Sequence, residues 1–321
     1  MRKIFFIVHV ILLLLIISGC EENFSPKGDF EENFALTCII RGDTSLQIAS
    51  LFSSYMVDGY DPAVNDINPA YFGADIRLWY RDTVYVFEEN RIYNPYNPDS
   101  IFHYYYLDKF KPVDKGELLE IEATLKNGKR LKASCYTPGS LEFDFQKTSS
   151  ILPPVNTNNF NVFWTSEDVD NFYIGRLKIK YFENTVDSSV VQRWLYLPVR
   201  LVDNNGESIP IYPVVSKARV ISYNMNAVNY AFQDLSEKFS EGNITVSTLG
   251  IIEVLSLEKN LSHYYASILE DNKYTVRVNE SDYSNVEGGF GIFGSLNKET
   301  RSIRIQPDYI SSFGFKVLYE N

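Results

Sequence analysis

Apolar and polar residues alternate in short runs between Phe34 and Tyr136. The runs are Phe34–Arg41 (FALTCIIR), Ser45–Val57, Ala74–Tyr80, Thr83–Phe87, Phe102–Leu107, Leu118–Leu125 and Arg130–Tyr136. In Ala74–Tyr80, Ile76, Leu78 and Tyr80 fall on one side and Arg77 and Trp79 on the other. That two-residue period marks a strand with one buried face. Arg81-Asp82 is a candidate hairpin turn, and Asn127-Gly128 is a stronger one. Asn-Gly favours a two-residue hairpin because both central residues then take positive φ. About seven short strands separated by turns predict an immunoglobulin-like β-sandwich over residues 34–148. The cysteine spacing and buried-Trp pattern of an antibody domain are not apparent.

Thr137-Pro138-Gly139 ends this run, and Ser149–Asn159 is turn-rich around Pro153-Pro154. A boundary is therefore expected at 148/149. Residues 149–321 open with strand patterns at Asn161–Thr165, Phe172–Glu183 and Val190–Val202. Asp203–Gly206 reads as a turn, and Ile209–Val215 holds two prolines and reads as an edge. Asn226–Phe239 carries Val228, Ala231, Phe232, Leu235 and Phe239 at helical spacing, with Gly242 beyond it as a stop. A second helix is predicted over Ser256–Leu269. Ser256 would be its N-cap, and Leu257, Leu261, Tyr264, Tyr265 and Ile268 would form its apolar stripe. Strand character returns at Tyr274–Val278, Gly291–Phe293, Ser302–Ile305 and Phe313–Leu318. The fold class is thus mainly β: an immunoglobulin-like sandwich followed by a β-rich domain with two helices.

The first nineteen residues have a different pattern. Arg2 and Lys3 precede Ile4–Ile17, which is apolar except for His9. This run is shorter than the about 20 residues that span a bilayer, and fits a signal-peptide core. It closes on Ile17-Ser18-Gly19-Cys20, which resembles the bacterial lipobox. Residues 1–19 are expected to be removed and Cys20 to carry the lipid; a multiply acylated cysteine, palmitate included, anchors stably. Glu21, Glu22 and Asn23 resemble the surface-export signal of Bacteroidota lipoproteins. Display at the cell surface is favoured over the periplasmic face of the outer membrane. Residues 20–33 form a polar tether spanning roughly 20 Å.

The chain has 321 residues, 45% hydrophobic and 22% charged, with formal net charge −11. This is the composition of a folded protein. Both halves are acidic and no basic stripe appears, so nucleic acid is not an expected partner. Gly289–Gly294 matches G-x-G-x-x-G, but no strand-to-helix unit surrounds it. Its glycines are read as serving tight packing or positive φ. Cys38 and Cys135 are candidate disulfide partners, with burial as two free thiols the alternative. His103 and His263 are the histidines beyond the leader. Either could act as a base, yet G-x-S-x-G, H-E-x-x-H and C-x-x-C are absent. Neither a cofactor nor a metal is expected. Glu167–Asn171 and Asp58–Asn68 offer oxygens without calcium-loop spacing and read as solvated turns.

Taken together, the lipobox, Leu36–Gly42 (LTCIIRG), Leu257–Leu269 (LEKNLSHYYASIL) and above all Asn285–Leu296 (NVEGGFGIFGSL) carry a likeness to a known family. They resemble the Bacteroidota lipoprotein family called domain of unknown function 4249. The resemblance covers most of the mature chain. It implies envelope work near TonB-dependent outer-membrane transporters, and supplies neither an activity nor catalytic residues to carry over. The expected function is a non-enzymatic accessory or binding protein beside such a nutrient transporter. An anchored hydrolase of glycan or peptide, using carboxylates or a histidine, remains the rival. A structural envelope component is the third reading. Replacing Cys20 by Ala should leave an uncleaved precursor that takes up no labelled palmitate. Normal processing and labelling of that variant would remove the lipoprotein reading.

Overall fold

A computed structural model describes residues 30–55, 68–94, 97–112, 115–168, 170–184, 189–239, 243–271 and 283–320. The expected signal peptide 1–19, Cys20, most of the expected tether, Asp58–Ile67, Gly242 and Tyr274–Val278 lie outside them. One compact unit comprises Phe34–Ser53 with Asn68–Asn321. In the other unit, Asn33 and Ser54 exchange hydrogen bonds of 2.7 and 2.8 Å.

The protein is mainly β. Its first half holds β1 (Phe34–Arg41), β2 (Gln47–Ser53), β3 (Asp75–Tyr80), β4 (Thr83–Val86), β5 (Glu88–Asn94), β6 (Asn97–Leu107), β7 (Leu118–Thr124) and β8 (Arg130–Tyr136). One layer runs β1-β2-β6-β5, the other β4-β3-β7-β8. This is the immunoglobulin order, with A-B-E-D facing C′-C-F-G. Alternation makes the core: Leu36, Cys38 and Ile40 of β1 pack in one cluster with Ile76 and Leu78 of β3, Leu119 and Ile121 of β7, and Leu131 of β8. The polar edge strand β5 was not anticipated. The Asn127-Gly128 hairpin also differs from expectation. Gly128 has positive φ while Asn127 does not, and Leu125 N–H bonds to Lys129 C=O. The loop is therefore one residue longer than the two-residue type.

The second half continues with β9 (Leu141–Phe143), β10 (Ile151–Leu152), β11 (Asn159–Ser166), β12 (Phe172–Asn184), β13 (Val190–Tyr196), β14 (Arg200–Asn204), β15 (Glu207–Ile211) and β16 (Val220–Asn224). Then come α1 (Met225–Lys238), β17 (Ile244–Leu257), α2 (Lys259–Asp271), β18 (Phe290–Ile305), α3 (Pro307–Ser311) and β19 (Lys316–Leu318). Asn224 caps α1, its Oδ1 accepting from Asn226 N–H at 2.9 Å. Val228, Ala231, Phe232 and Leu235 bury its apolar stripe in the same cluster as Phe160, Leu177 and Ile252 of the sheets, and Phe232 stacks on Phe313 with ring centroids 5.1 Å apart. The predicted cap at Ser256 is displaced. Ser256 stays in β17, paired with Tyr173 and Asn297, because β12 and β18 hold both edges of that strand. Ile244–Leu257 was not predicted as a strand, and it is the one between them. The short α3 is likewise additional to the two helices expected.

The 148/149 boundary falls inside the compact unit. Two hydrophobic clusters divide near Cys135 and Leu141, yet β18 serves both. Its first half pairs parallel with β1, from Ala35↔Phe290 to Arg41↔Leu296. Its second half pairs antiparallel with β17, from Leu257↔Leu296 to Leu249↔Arg304. Sequence alone split it into Gly291–Phe293 and Ser302–Ile305. Its polar middle is held by neighbours, for Lys298 Nζ lies 2.7 Å from Asp43 just past β1. Burial pulls the Asp43 carboxyl upward, but Arg41 and Lys298 hold it at about 2.

The G-x-G-x-x-G segment lies at this junction and runs into a strand rather than a helix. Gly291 has φ +115, and a Cβ there would lie 2.0 Å from the Leu36 carbonyl oxygen. A Cβ on Gly294 would lie 2.9 Å from both Glu258 Oε1 and Leu261 Cβ. These glycines let β18 approach β1 and α2. Gly291→Val should lower stability by at least about 3 kcal/mol, through positive φ and a backbone clash. NAD and ATP should leave the melting temperature of the wild type unchanged. A saturable nucleotide shift that is lost in a folded Gly291→Val variant would contradict this.

Candidate functional site

The outward face of β4-β3-β7-β8 is built by the strand register. Trp79 pairs with Val84 and Glu120, and Glu120 pairs with Ser134. In the next row Arg77 pairs with Glu122, and Glu122 with Lys132. Tyr136 follows two residues along β8. Because β3, β7 and β8 turn Ile76, Leu78, Leu119, Ile121, Leu131 and Cys135 inward, these alternate residues must face out.

The free edge of β8 is closed by other parts of the chain. Lys132 and Glu287 exchange backbone hydrogen bonds of 2.7 and 3.0 Å. Asn260 Nδ2 donates to Ser134 C=O at 2.9 Å, and Ser295 Oγ donates to Tyr136 C=O at 2.6 Å. Asn285 bonds both ways with the Phe293 backbone, donating at 2.7 Å and accepting at 2.9 Å. The first turn of α2 and the Asn285–Glu287 segment therefore rise as a wall beside the sheet. Between wall and sheet lies a cleft of about 630 Å³, bordered by Trp79, Glu120, Lys132, Tyr136, Glu258 and Glu287 among others. That is the size range of small-ligand sites.

Glu258 is buried in the wall. Its Oε2 accepts from Asn260 N–H and its Oε1 from Leu261 N–H, both at 2.8 Å, so it caps α2 where Ser256 was expected to. Burial pushes its carboxyl up to about 7, against the opposing pull of backbone N–H groups of Asn260, Leu261 and Ser295 and the charge of Lys259. Around it stand the Cys135 thiol of β8, the Tyr283 phenol and Lys259. Glu122 is shared by Arg130 at 3.4 Å and Lys132 at 3.2 Å. Glu120 and Glu287 are exposed and have no ion-pair partner among the described residues.

The residues singled out from sequence are dispersed. His103 lies in β6 with its ring 3.8 Å from that of Phe72, and its buried Nδ1 has no hydrogen-bond partner among the described residues. His263 is exposed on α2, its ring 5.6 Å from that of Tyr283. The candidate disulfide is not formed: Cys38 and Cys135 are free, buried thiols of the sandwich core. They lie on β1 and β8 rather than on the B and F strands that an antibody disulfide joins. Burial pushes both thiols upward, so they pack as small apolar side chains. Asp168 of the Glu167–Asn171 turn accepts from Gly139 N–H at 2.6 Å and Asn171 Nδ2 at 2.7 Å. Both donors reach Oδ2, which ties the turn to Gly139 and to Asn171.

Sequence reasoning missed Trp79, Glu120, Glu258 and Glu287. Trp79 stood out as an outward position on a predicted strand. Its meeting with Glu120 needs the β3–β7 register, which joins strands distant in sequence. A second hollow, of about 620 Å³, borders β12, β13 and α1. Its charged side chains pair among themselves, Glu183 with Arg193 and Asp234 with Lys238.

No family model matches this chain, and no curated protein does. A crystal structure of DIP-gamma IG1+IG2 is similar at 7% identity, over 87% of this chain and 98% of that one, with a TM-score of 0.18. A crystal structure of Dpr11 IG1 bound to DIP-gamma IG+IG2 is similar at 6%, over 86% and 98%, also at 0.18. At that score neither likeness bears on fold or partners. The immunoglobulin-like order rests on the strand pairing itself.

The Glu258 carboxyl has a testable linkage. A carboxyl raised on folding binds more protons in the folded state between its unfolded and folded pKa values. Its stabilisation is therefore complete below about pH 4.5 and lost as pH rises through about 7. Asp43, held at about 2, acts in a separate and more acidic window. Between pH 5 and 8 stability should fall by up to about 3 kcal/mol on account of Glu258. Glu258→Gln should flatten that slope in pH-dependent urea unfolding, and an unchanged slope would show that the carboxyl does not titrate there.

Proposed function

We propose that this chain is an outer-membrane lipoprotein, anchored through Cys20 and displayed at the cell surface. It acts as a non-enzymatic accessory or binding protein beside a TonB-dependent nutrient transporter. Support for the location comes from the lipobox Ile17–Cys20, the adjacent Glu21 and Glu22, and the resemblance carried by Asn285–Leu296. The observation that carries the binding role is the cleft, where Trp79, Glu120 and Tyr136 on paired strands and Glu287 on a bridge to β8 stand around an open volume of about 630 Å³. Strands hold such groups in place before a ligand arrives, which lowers the ordering cost of binding.

The hydrolase reading has one observation in its favour. Glu258, raised to about 7, has the acidity of a general acid working near neutrality. Against this, both its oxygens are engaged by the start of α2. A carboxyl so held caps a helix and presents no proton to a substrate. Affinity isolation of the tagged full chain from native membranes, read by mass spectrometry, should recover a transporter barrel. A Trp79→Ala/Tyr136→Ala variant should lose ligand retention while staying folded. Turnover of glycan or peptide that disappears in folded Glu258→Gln would favour the hydrolase instead. Recovery of no partner from intact membranes would sink the accessory role.

A further inference from the structure

We infer that the cleft receives a basic peptide segment of a partner protein, whose Lys or Arg side chains reach Glu120 and Glu287. The inference rests on the binding role proposed above and adds the chemistry of what is bound.

Charge decides the sign of the ligand. The lining contains Glu120, Glu122, Glu258 and Glu287 against Lys132 and Lys259. Lys132 shares Glu122 with Arg130, at 3.2 and 3.4 Å, and Lys259 stands beside Glu258, whose carboxyl is raised to about 7 and carries only part of a charge at neutral pH. Glu120 and Glu287 are the exposed carboxylates of the lining that have no ion-pair partner among the described residues. An anionic ligand would meet two exposed carboxylates on a chain of net charge −11, whereas a cation would be steered toward them.

Aromatic placement narrows the class further. Trp79 is the direct cross-strand neighbour of Glu120, and Tyr136 is 58% exposed on β8. A cation over an aromatic face, with a carboxylate at its side, gains from both. A guanidinium or ammonium on a flexible stem fits this pairing, its methylenes lying along the ring.

Spacing sets the pattern. Glu120 lies on β7, and Glu287 lies beyond β8, bridged to Lys132. The two positions are two strand spacings apart and two residues along, roughly 12 Å. In an extended peptide that distance corresponds to same-face side chains at i and i+4, roughly 13 Å apart. The binding segment is therefore an extended stretch with basic residues four apart.

The test uses the mature full chain and a blocked nonapeptide of Ser and Gly with Lys at its third and seventh positions. Titration calorimetry should find saturable one-to-one binding at low salt, weakened several-fold at about 0.3 M salt. Glu120→Gln/Glu287→Gln, both at exposed positions, should weaken it at least about tenfold. Tyr136→Ala should weaken it less, and a peptide with its two lysines adjacent should bind more weakly. Equal binding of a norleucine counterpart would overturn the inference, as would unchanged binding by the double variant or no binding by the wild type. Binding of an uncharged hexasaccharide in place of the peptide, lost in Trp79→Ala, would overturn the cationic class and leave the binding role standing. Peptide binding without any transporter in the membrane isolation would do the reverse.

Discussion

Backbone pairing between Ala35–Arg41 and Phe290–Leu296 is the contact on which the rest depends. It is a parallel ladder between the first described strand and one of the last. Parallel pairing needs a long crossover, and here almost the whole chain serves as that crossover. The ladder requires close approach, which is why Gly291 meets the Leu36 backbone where any side chain would clash. Phe293 then joins the sandwich core, while Ile292 clusters with Leu257 of β17 and Leu261 of α2. With Ile303 and Ile305 in the core of the second half, this single strand joins three hydrophobic clusters.

The cleft follows from the same closure. β8 would otherwise be an exposed sheet edge offering unpaired carbonyls, a template for unwanted pairing. Asn260, Asn285 and Ser295 cover the Ser134 and Tyr136 carbonyls with side-chain donors, and only Lys132 has a backbone partner there, Glu287. A side-chain seal leaves room that a paired strand would fill. The hollow beside Trp79 and Glu120 is that room, and its walls are fixed by the hydrogen bonds that protect the edge.

Much of the first half was legible because its strands have one wet and one dry face. β1, β3, β7 and β8 alternate in sequence as they do in burial, and their ends fall within a residue or so of expectation. Legibility fails where a strand has two dry faces or partners on both edges. Ile244–Leu257 has no clean period, and β18 carries Asn297, Lys298, Glu299 and Arg301 through its middle. Neighbouring strands, and Asp43 for Lys298, stabilise what local propensity would not. Ser256 illustrates the same override, since ladder pairing outweighs its tendency to start a helix. The cleft was legible only in fragments. Trp79 was visible as an outward residue, whereas Glu258 and Glu287 enter through contacts between segments over a hundred residues apart.

A ribosome delivers β1 long before it delivers β18. Until Phe290–Leu296 has been made, the outer edge of Ala35–Arg41 has no strand beside it, and the sandwich is incomplete although all eight of its own strands exist. Wherever the chain folds, the seat next to this apolar strand stays vacant until its C-terminal part arrives, a situation in which other chains compete for the place. Slow pairing of such distant segments lengthens that interval. Handling of the nascent chain therefore belongs to the folding problem of this protein as much as the contacts in its finished form.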